Sequence, residues 1–347
     1  MKTLIIILLY IGVTCVCGQM NHHEYPTPSD VNNQSKVHME QDGHHQPDYY
    51  SYEQQCPDAE DIAPCVCTYD IVSSAMDLNC SAVENEEELK QIFKADFPVK
   101  KFKQFLIHYN FNIKVLEAGI FNGISFEMID IYTTDLEVVE LHALNSCYET
   151  ATEINLYGNK ITSFPFDEVS QFSKLGHFDI SCNYLSVIPA DAFHGLTALE
   201  YIDISTNDAD IVGTFQDLPN LRDIWLGDLN ITTTIPAQFI KTGSSQLSNI
   251  RLNYNDIVSV EPGAFDIVDG LDINMYHNLI STLDEATWRP YLEAGGTLEA
   301  ASNPLVCGCD IAWLFGEDQL LEHVDVYTTC TDGGRLHDLD PSIFNNC

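Results

Sequence analysis

From Phe102 onward, apolar and polar positions follow one recurring frame, apolar-x-x-apolar-x-apolar-x-x-Asn-x-apolar. It reads cleanly from Leu175 through Phe178, Ile180 and Asn183 to Leu185. It returns from Leu199 to Asn207 and from Leu247 to Ile257. Looser copies start at Phe102, Phe126, Ala151, Leu221, Val268 and Gly295, which makes nine copies spaced by 21 to 27 residues. A second signature, each time with a phenylalanine, separates them in Glu117 to Phe121, Pro189 to Leu196 and Glu261 to Phe265.

The frame has a direct physical meaning. Apolar residues at frame positions 1, 4, 6 and 11 point inward, and each buried one contributes about 1.5–3 kcal/mol. Positions 4 to 6 form a short strand whose fifth residue faces the other way, because strand side chains alternate. A recurring asparagine at position 9 bonds backbone groups left unpaired at the turn. One such unit cannot bury its apolar side alone, so the copies must stack. The pattern resembles the leucine-rich-repeat family. It implies an α/β solenoid, a horseshoe of about nine repeats with a parallel β-sheet on its concave face. Three departures stand out. Thr134 replaces the second asparagine, the sixth copy carries one extra residue before Asn230, and the eighth carries two before Asn278. The stretch from Glu84 to Phe97, acidic early and basic later, predicts a helix leading into the first repeat.

Cysteines frame the repeats. Cys56, Cys65, Cys67 and Cys80 precede them, and Cys307, Cys309, Cys330 and Cys347 follow. Either quartet has the residue types of a zinc site, but outside the cell disulfides prevail, with three connectivities open for each. Residues 1–18 carry a short basic start and then an apolar stretch from Leu4 to Val16, the pattern of a secretory signal peptide. The expected localisation is therefore secreted and extracellular. Residues 19–55 are poor in aliphatics and include His22, His23, His38, His44 and His45, so a disordered arm is expected. The cysteine-rich cap and linking helix are expected over 56–101, the repeats over 102–303 and the second cap over 304–347. Cys147 and Cys182 are left over, each a candidate for a free thiol or a link to another chain.

The net charge of −37 argues against nucleic acid and anionic membranes as partners, since both attract basic proteins. Five lysines, Lys90, Lys94, Lys100, Lys101 and Lys103, crowd into one short stretch and leave the remainder strongly anionic. No Walker loop, Gly-x-Ser-x-Gly elbow or His-Glu-x-x-His pair is present, so neither an enzyme, a cofactor nor a bound metal is expected. Position 5 of the repeats reads Leu106, Asp130, Asn155, Asp179, Asp203, Trp225, Arg251, Asp272 and Glu299. Flanking positions add Tyr132, Tyr157, His177, Tyr201, Asp223 and Tyr254. Neighbouring strands lie about 4.8 Å apart. Asp179 and Asp203 should then repel by about 1 kcal/mol even at the dielectric of water. A basic partner relieves that repulsion, and Tyr and Trp beside charge anchor interfaces. The expected partner-binding residues are Asp130, Tyr132, Tyr157, Asp179, Tyr201, Asp203, Asp223, Trp225, Arg251 and Tyr254. Among the sequons at Asn33, Asn79 and Asn230, the last is the best candidate for glycosylation.

A narrower resemblance rests on the run Asp61-Ile-Ala-Pro-Cys65-Val-Cys67-Thr68, followed by Met76-Asp-Leu-Asn-Cys80-Ser81 and the acidic helix. It is similar to a family of arthropod secreted leucine-rich-repeat proteins with cysteine-rich caps, one of whose members is the non-catalytic subunit of oplophorus-luciferin 2-monooxygenase. The likeness covers roughly Cys56 to Cys347. It implies the pairings Cys56–Cys67, Cys65–Cys80, Cys307–Cys330 and Cys309–Cys347. It also implies a noncatalytic companion chain in a hetero-oligomer, supporting a partner such as the catalytic chain of a luciferase-type complex. The alternative is an extracellular matrix or recognition module that binds receptors, glycans or microbial surfaces.

Overall fold

The computed structural model describes residues 55–212, 215–316, 318–345 and 347. The expected signal peptide, the histidine-rich arm and Asn33 lie outside the described residues. The organising element is one eleven-stranded sheet whose strands follow chain order. Its first two strands, Val66–Asp70 and Ala75–Asn79, pair antiparallel as a hairpin. From Ala75–Asn79 onward every pairing is parallel, through Lys101–His108, Ser125–Tyr132, Glu153–Asn155, His177–Asp179, Tyr201–Asp203, Asp223–Trp225, Asn249–Arg251, Asp272–Asn274 and Thr297–Glu299. The chain is a leucine-rich-repeat solenoid, with the sheet as one wall and short strands and 3-10 turns as the other.

The reason for this layering is visible in the burial. Phe105, Ile129, Ile154, Phe178, Ile202, Ile224 and Ile250 stand at position 4 of successive repeats and are all fully buried. The phenylalanines of the second signature, Phe121, Phe193 and Phe265, come from the opposite wall and are equally buried. They meet the sheet directly: the Phe178 and Phe193 rings are 5.5 Å apart, and those of Phe105 and Phe121 are 5.0 Å apart. Each such ring removes on the order of 150–250 Å² from water, so this row carries much of the cohesion between repeats.

Each strand ends in the same turn. Position 8 has a left-handed backbone in all nine repeats, at Tyr109, Thr133, Gly158, Cys182, Thr206, Asp228, Tyr254, His277 and Ser302. Position 9 then points its amide inward. Asn207 Nδ2 donates to the carbonyls of Ile180 (3.1 Å) and Ile204 (2.9 Å), and its Oδ1 accepts from the Leu185 N–H (3.1 Å). Two positions break the ladder, Thr134 and Leu229.

This turn corrects two expectations. In the sixth repeat the left-handed residue is Asp228 and position 9 is Leu229, so there is no extra residue and Asn230 is not a ladder asparagine. In the eighth the left-handed residue is His277 and the ladder residue is Asn278, which donates to Leu252 and Met275. The frame therefore starts at Gly270 and not Val268, without insertion. Arg251 is in register with Asn274, while Asp272 pairs with Asn249. Asn274, not Asp272, occupies position 5.

The linking helix is shorter than predicted, Glu86–Ile92. Asn85 caps it by accepting from the Glu88 N–H at 2.9 Å. Phe93 ends it, and Phe93 and Phe97 turn into the core. A longer helix, Glu285–Glu293, has no counterpart in the sequence reading. Asp284 caps it, and Trp288, Tyr291 and Leu292 are buried beneath the last repeats.

The caps seal both ends. Cys56 is bonded to Cys67, Cys65 to Cys80, Cys307 to Cys330 and Cys309 to Cys347. Trp313 of the second cap donates its indole N–H to the Leu283 carbonyl at 3.0 Å, with Arg289 over its ring. Cys147 is a buried free thiol whose pKa desolvation pushes up to about 11, which leaves it inert and unable to reach another chain.

Candidate binding face

The exposed side of the sheet carries frame positions 3 and 5, and the turn carries 7 and 8. Position 5 has an unforeseen local role. The position 7 N–H lies beyond the last ladder bond, and the position 5 side chain accepts from it. Asn155 does so for Tyr157 (3.1 Å), Asp179 for Ser181 (2.9 Å), Asp203 for Ser205 (2.9 Å) and Asn274 for Tyr276 (2.9 Å). Both aspartates also accept from the serine hydroxyl, at 2.6 Å for Asp179 and 2.5 Å for Asp203. Asp179 and Asp203 are in register on adjacent strands, as their repeats require. Their mutual repulsion is thus offset by hydrogen bonds at the strand ends.

Asp130 lies between Leu106 and Asn155 in register and is buried. It accepts from Gln104 Nε2 at 2.7 Å, and desolvation raises its pKa against the help of Gln104 and Asn155. It therefore supplies field more than contact. Glu153, on the next strand, is raised to about 7, first by burial and then by the charges of Asp130 and Asp179. Burial likewise lifts Asp203 to about 6, opposed by its serine and tyrosine donors.

The aromatic residues run through this acidic strip. His177 stacks on Tyr201 with centroids 4.2 Å apart and planes 15° from parallel. Burial lowers the His177 pKa to about 4, so its imidazole is neutral at physiological pH. Tyr201 and Trp225 are 6.0 Å apart, and the Tyr201 hydroxyl donates to Asp203 at 3.3 Å. Trp225 is half-buried and in register between Asp203 and Arg251. Arg251 is ion-paired to Asp272 at 3.1 Å and donates to Asn249, whose own amide reaches Asp223. That chain neutralises the sole cation of the expected face.

Of the ten expected residues, seven share the sheet face: Asp130, Asp179, Tyr201, Asp203, Asp223, Trp225 and Arg251. Tyr132, Tyr157 and Tyr254 stand apart, on the turn that rims it. Tyr132 stacks on His108 at 5.7 Å. Tyr254, at position 8, is exposed and contacts Tyr276 and His277. Sequence reasoning passed over Glu153, Gln104, Tyr276 and His277. The first two stand at position 3, where the frame sets no constraint, and the last two were hidden by the misplaced eighth repeat.

Asn230 is exposed at a cleft of about 450 Å³ that also involves Asp210, Thr232, Pro236 and Phe239. Asn79 is engaged, its Oδ1 accepting from the Ser81 N–H beside the disulfide-bonded Cys80. Among the described residues no group of His, Cys, Asp and Glu is arranged to hold a metal ion, and no helix is long and apolar enough to cross a membrane.

The leucine-rich-repeat profile matches residues 149–209 and 173–231. Over 317 residues the chain is 32% identical to the oplophorus-luciferin 2-monooxygenase non-catalytic subunit of Oplophorus gracilirostris, covering 84% of this chain and 87% of that protein. The chain belongs to that subunit's family. Solved structures agree on the fold. A chain of the complex of latrophilin 3, Unc5D and the leucine-rich repeats of FLRT2 superposes with a TM-score of 0.54 at 16% identity, covering 84% of this chain and 99% of that one. The TLR13–ssRNA13 complex gives a TM-score of 0.53 at 23% identity, covering 65% of this chain and 31% of that one. The relative's name describes a noncatalytic chain.

Proposed function

We propose that this chain is a secreted, non-enzymatic binding subunit that associates with and supports a protein partner of basic surface. The partner is the catalytic chain of a luciferase-type complex. The observation that carries this reading is a pair of in-register rows on the sheet: Asp179, the buried Asp203 and Trp225 along one, and His177, Tyr201 and Asp223 along the other. Carboxylates held by local donors are preorganised, so little side-chain entropy is lost on binding. Half-buried Tyr and Trp present area at low entropic cost. The 32% identity to a non-catalytic subunit favours a stoichiometric companion over a free recognition module.

The test is native co-purification from the source secretion, with mass spectrometry of whatever elutes in stoichiometric amount. One recurrent small basic enzyme supports the reading, and a lone monomer overturns it. With the partner in hand, the Tyr201→Ala/Trp225→Ala double variant should weaken binding at least a hundredfold, about 3 kcal/mol. Unchanged affinity would move the interface elsewhere.

A further inference from the structure

Tyr254, Tyr276 and His277 form an aromatic cluster at the rim of the sheet face that the core does not require. Tyr254 and His277 occupy the left-handed position of consecutive repeats, with φ of 57° and 54°. Thr133, Gly158, Thr206 and Ser302 serve there in other repeats, and a tyrosine, Tyr109, in the first. A bulky side chain at positive φ is uncommon, and here it stays largely open to solvent. Tyr254 is 44% exposed and His277 is exposed. The rings are nonetheless ordered against each other. Tyr254 and His277 stack at 4.9 Å and 28°, and Tyr276 meets Tyr254 at 5.3 Å and 75°.

The surroundings are anionic. The Tyr254 phenol has a raised pKa, first from burial, then from its hydrogen bond with Tyr276 and the charge of that phenol, and last from the carboxylates of Asp228 and Glu299. Asp228 is exposed, and Glu299 accepts from Asn274. Arg251, the nearest cation of the sheet face, is tied to Asp272 and Asn249.

We infer that this cluster is an anchoring site for a guanidinium side chain on a basic protein partner. Flat aromatic faces beside the carboxylates of Asp228 and Glu299 suit a planar, weakly hydrated cation that can stack and donate at once. An ammonium is more strongly hydrated and gains less, and a neutral sugar gains nothing from the carboxylates. The inference deepens the proposed function and rests on its basic partner, but it involves different residues from the Tyr201–Trp225 strip.

The test uses the secreted full chain and two synthetic peptides of equal length and charge, one with three arginines separated by glycines and one with three lysines. Binding is measured by calorimetry at physiological salt. The wild type should bind the arginine peptide about tenfold more tightly, within the range of one cation–π contact. Tyr254→Asn, chosen because asparagine tolerates positive φ, and Tyr276→Leu should each abolish that preference. Asp228→Asn should weaken both peptides. Equal binding of the two peptides by the wild type overturns the inference, as does a preference that survives Tyr254→Asn. Displacement of the arginine peptide by an uncharged oligosaccharide, unaffected by Asp228→Asn, overturns it in favour of a glycan site. The Tyr201→Ala/Trp225→Ala variant should keep the arginine preference. If that variant releases the protein partner while no preference exists, only the anchor fails. If the preference is lost in Tyr254→Asn while the double variant still binds the partner, only the sheet-face reading fails.

Discussion

The side-chain amide of Asn183 donates to the backbone carbonyl of Leu156, 2.9 Å away and one repeat earlier. The same amide donates to Ile180 at 3.0 Å, and its Oδ1 accepts from the Ile161 N–H at 2.9 Å. All of these groups are shut off from water in the solenoid interior. Removing the amide leaves buried backbone groups unpaired, at about 1–3 kcal/mol for each that finds no other partner. Asn183→Ala should therefore lower stability by about 3 kcal/mol, read as a fall in the urea midpoint at unchanged slope. Leu229 supplies the contrast, because it stands at the same frame position with an apolar side chain, only its backbone N–H reaching the ladder at Asn255. Leu229→Asn should cost less than about 1 kcal/mol, since the new amide can reach the ladder carbonyls that Asn207 reaches one repeat earlier. Leu226→Asn, at a core position, should cost about 3 kcal/mol or more. Similar costs for the two leucine variants would deny the ladder its role.

The second cap offers a separate measure of end-sealing. The Cys309–Cys347 bond spans a sequence separation of 38 residues and holds the segment around the buried Trp313. A loop of that size is worth about 4 kcal/mol in the chain-entropy account. Replacing both cysteines with serine should lower stability by a comparable amount and expose Trp313. Tryptophan emission should then shift to the red at lower urea than in the native chain. An unmoved transition would mean that the apolar end is held by packing alone.

How far the sequence revealed this molecule depends on which residues did the constraining. The repeats from Leu175 to Asn207 were legible because the core admits only apolar residues at fixed positions and the ladder requires an amide. The eighth repeat was not. Its position 1 is Gly270, while Val268 and Leu271 mimic the first and fourth positions of a shifted frame. Only the left-handed turn at His277 fixes the register, and the tyrosine at the equivalent position one repeat earlier, Tyr254, is not of a type that announces positive φ. The Glu285–Glu293 helix was masked by Pro290 within it. On the sheet face, alternation alone showed that Asp179 and Asp203 face outward together. That each is held by a serine two residues on follows from the turn, and a repeated Asp-Ile-Ser could have signalled it. Packing of rings between repeats, as in Tyr254 against His277, has no signature within one repeat.

Asn230 stands exposed immediately after the ladder position of the sixth repeat, in the sequon Asn230-Ile231-Thr232. Its side chain has no structural duty among the described hydrogen bonds, unlike that of Asn79. Carrying Asn33→Gln and secreted from a glycosylating host, the chain should bear one glycan, at Asn230, and none at Asn79. Intact mass before and after glycosidase checks this, with Asn230→Gln losing the shift. A shift that persists in that variant would assign the glycan elsewhere.

Glu153 links the acidic strip to pH. Its pKa of about 7 in the folded chain lies above the ordinary 4.5, so the native state holds this proton more tightly than the unfolded chain does. The sign follows from linkage: the protonated group favours folding fully below about pH 4.5, and that advantage is lost as pH rises through 7. Above that, the ionised carboxylate is held near Asp130 and Asp179 at a cost. Because the group is partly open to solvent, screening reduces the effect to about 1–2 kcal/mol. Glu153→Gln should therefore match the wild type near pH 4.5 and become the more stable of the two by that amount at pH 8. Asp203 is raised in both proteins and cancels from the difference. Urea midpoints of the pair across pH 4.5 to 8 decide the point. Curves that stay parallel would show that the strip does not hold the Glu153 proton, and a basic partner would then find its carboxylate already charged.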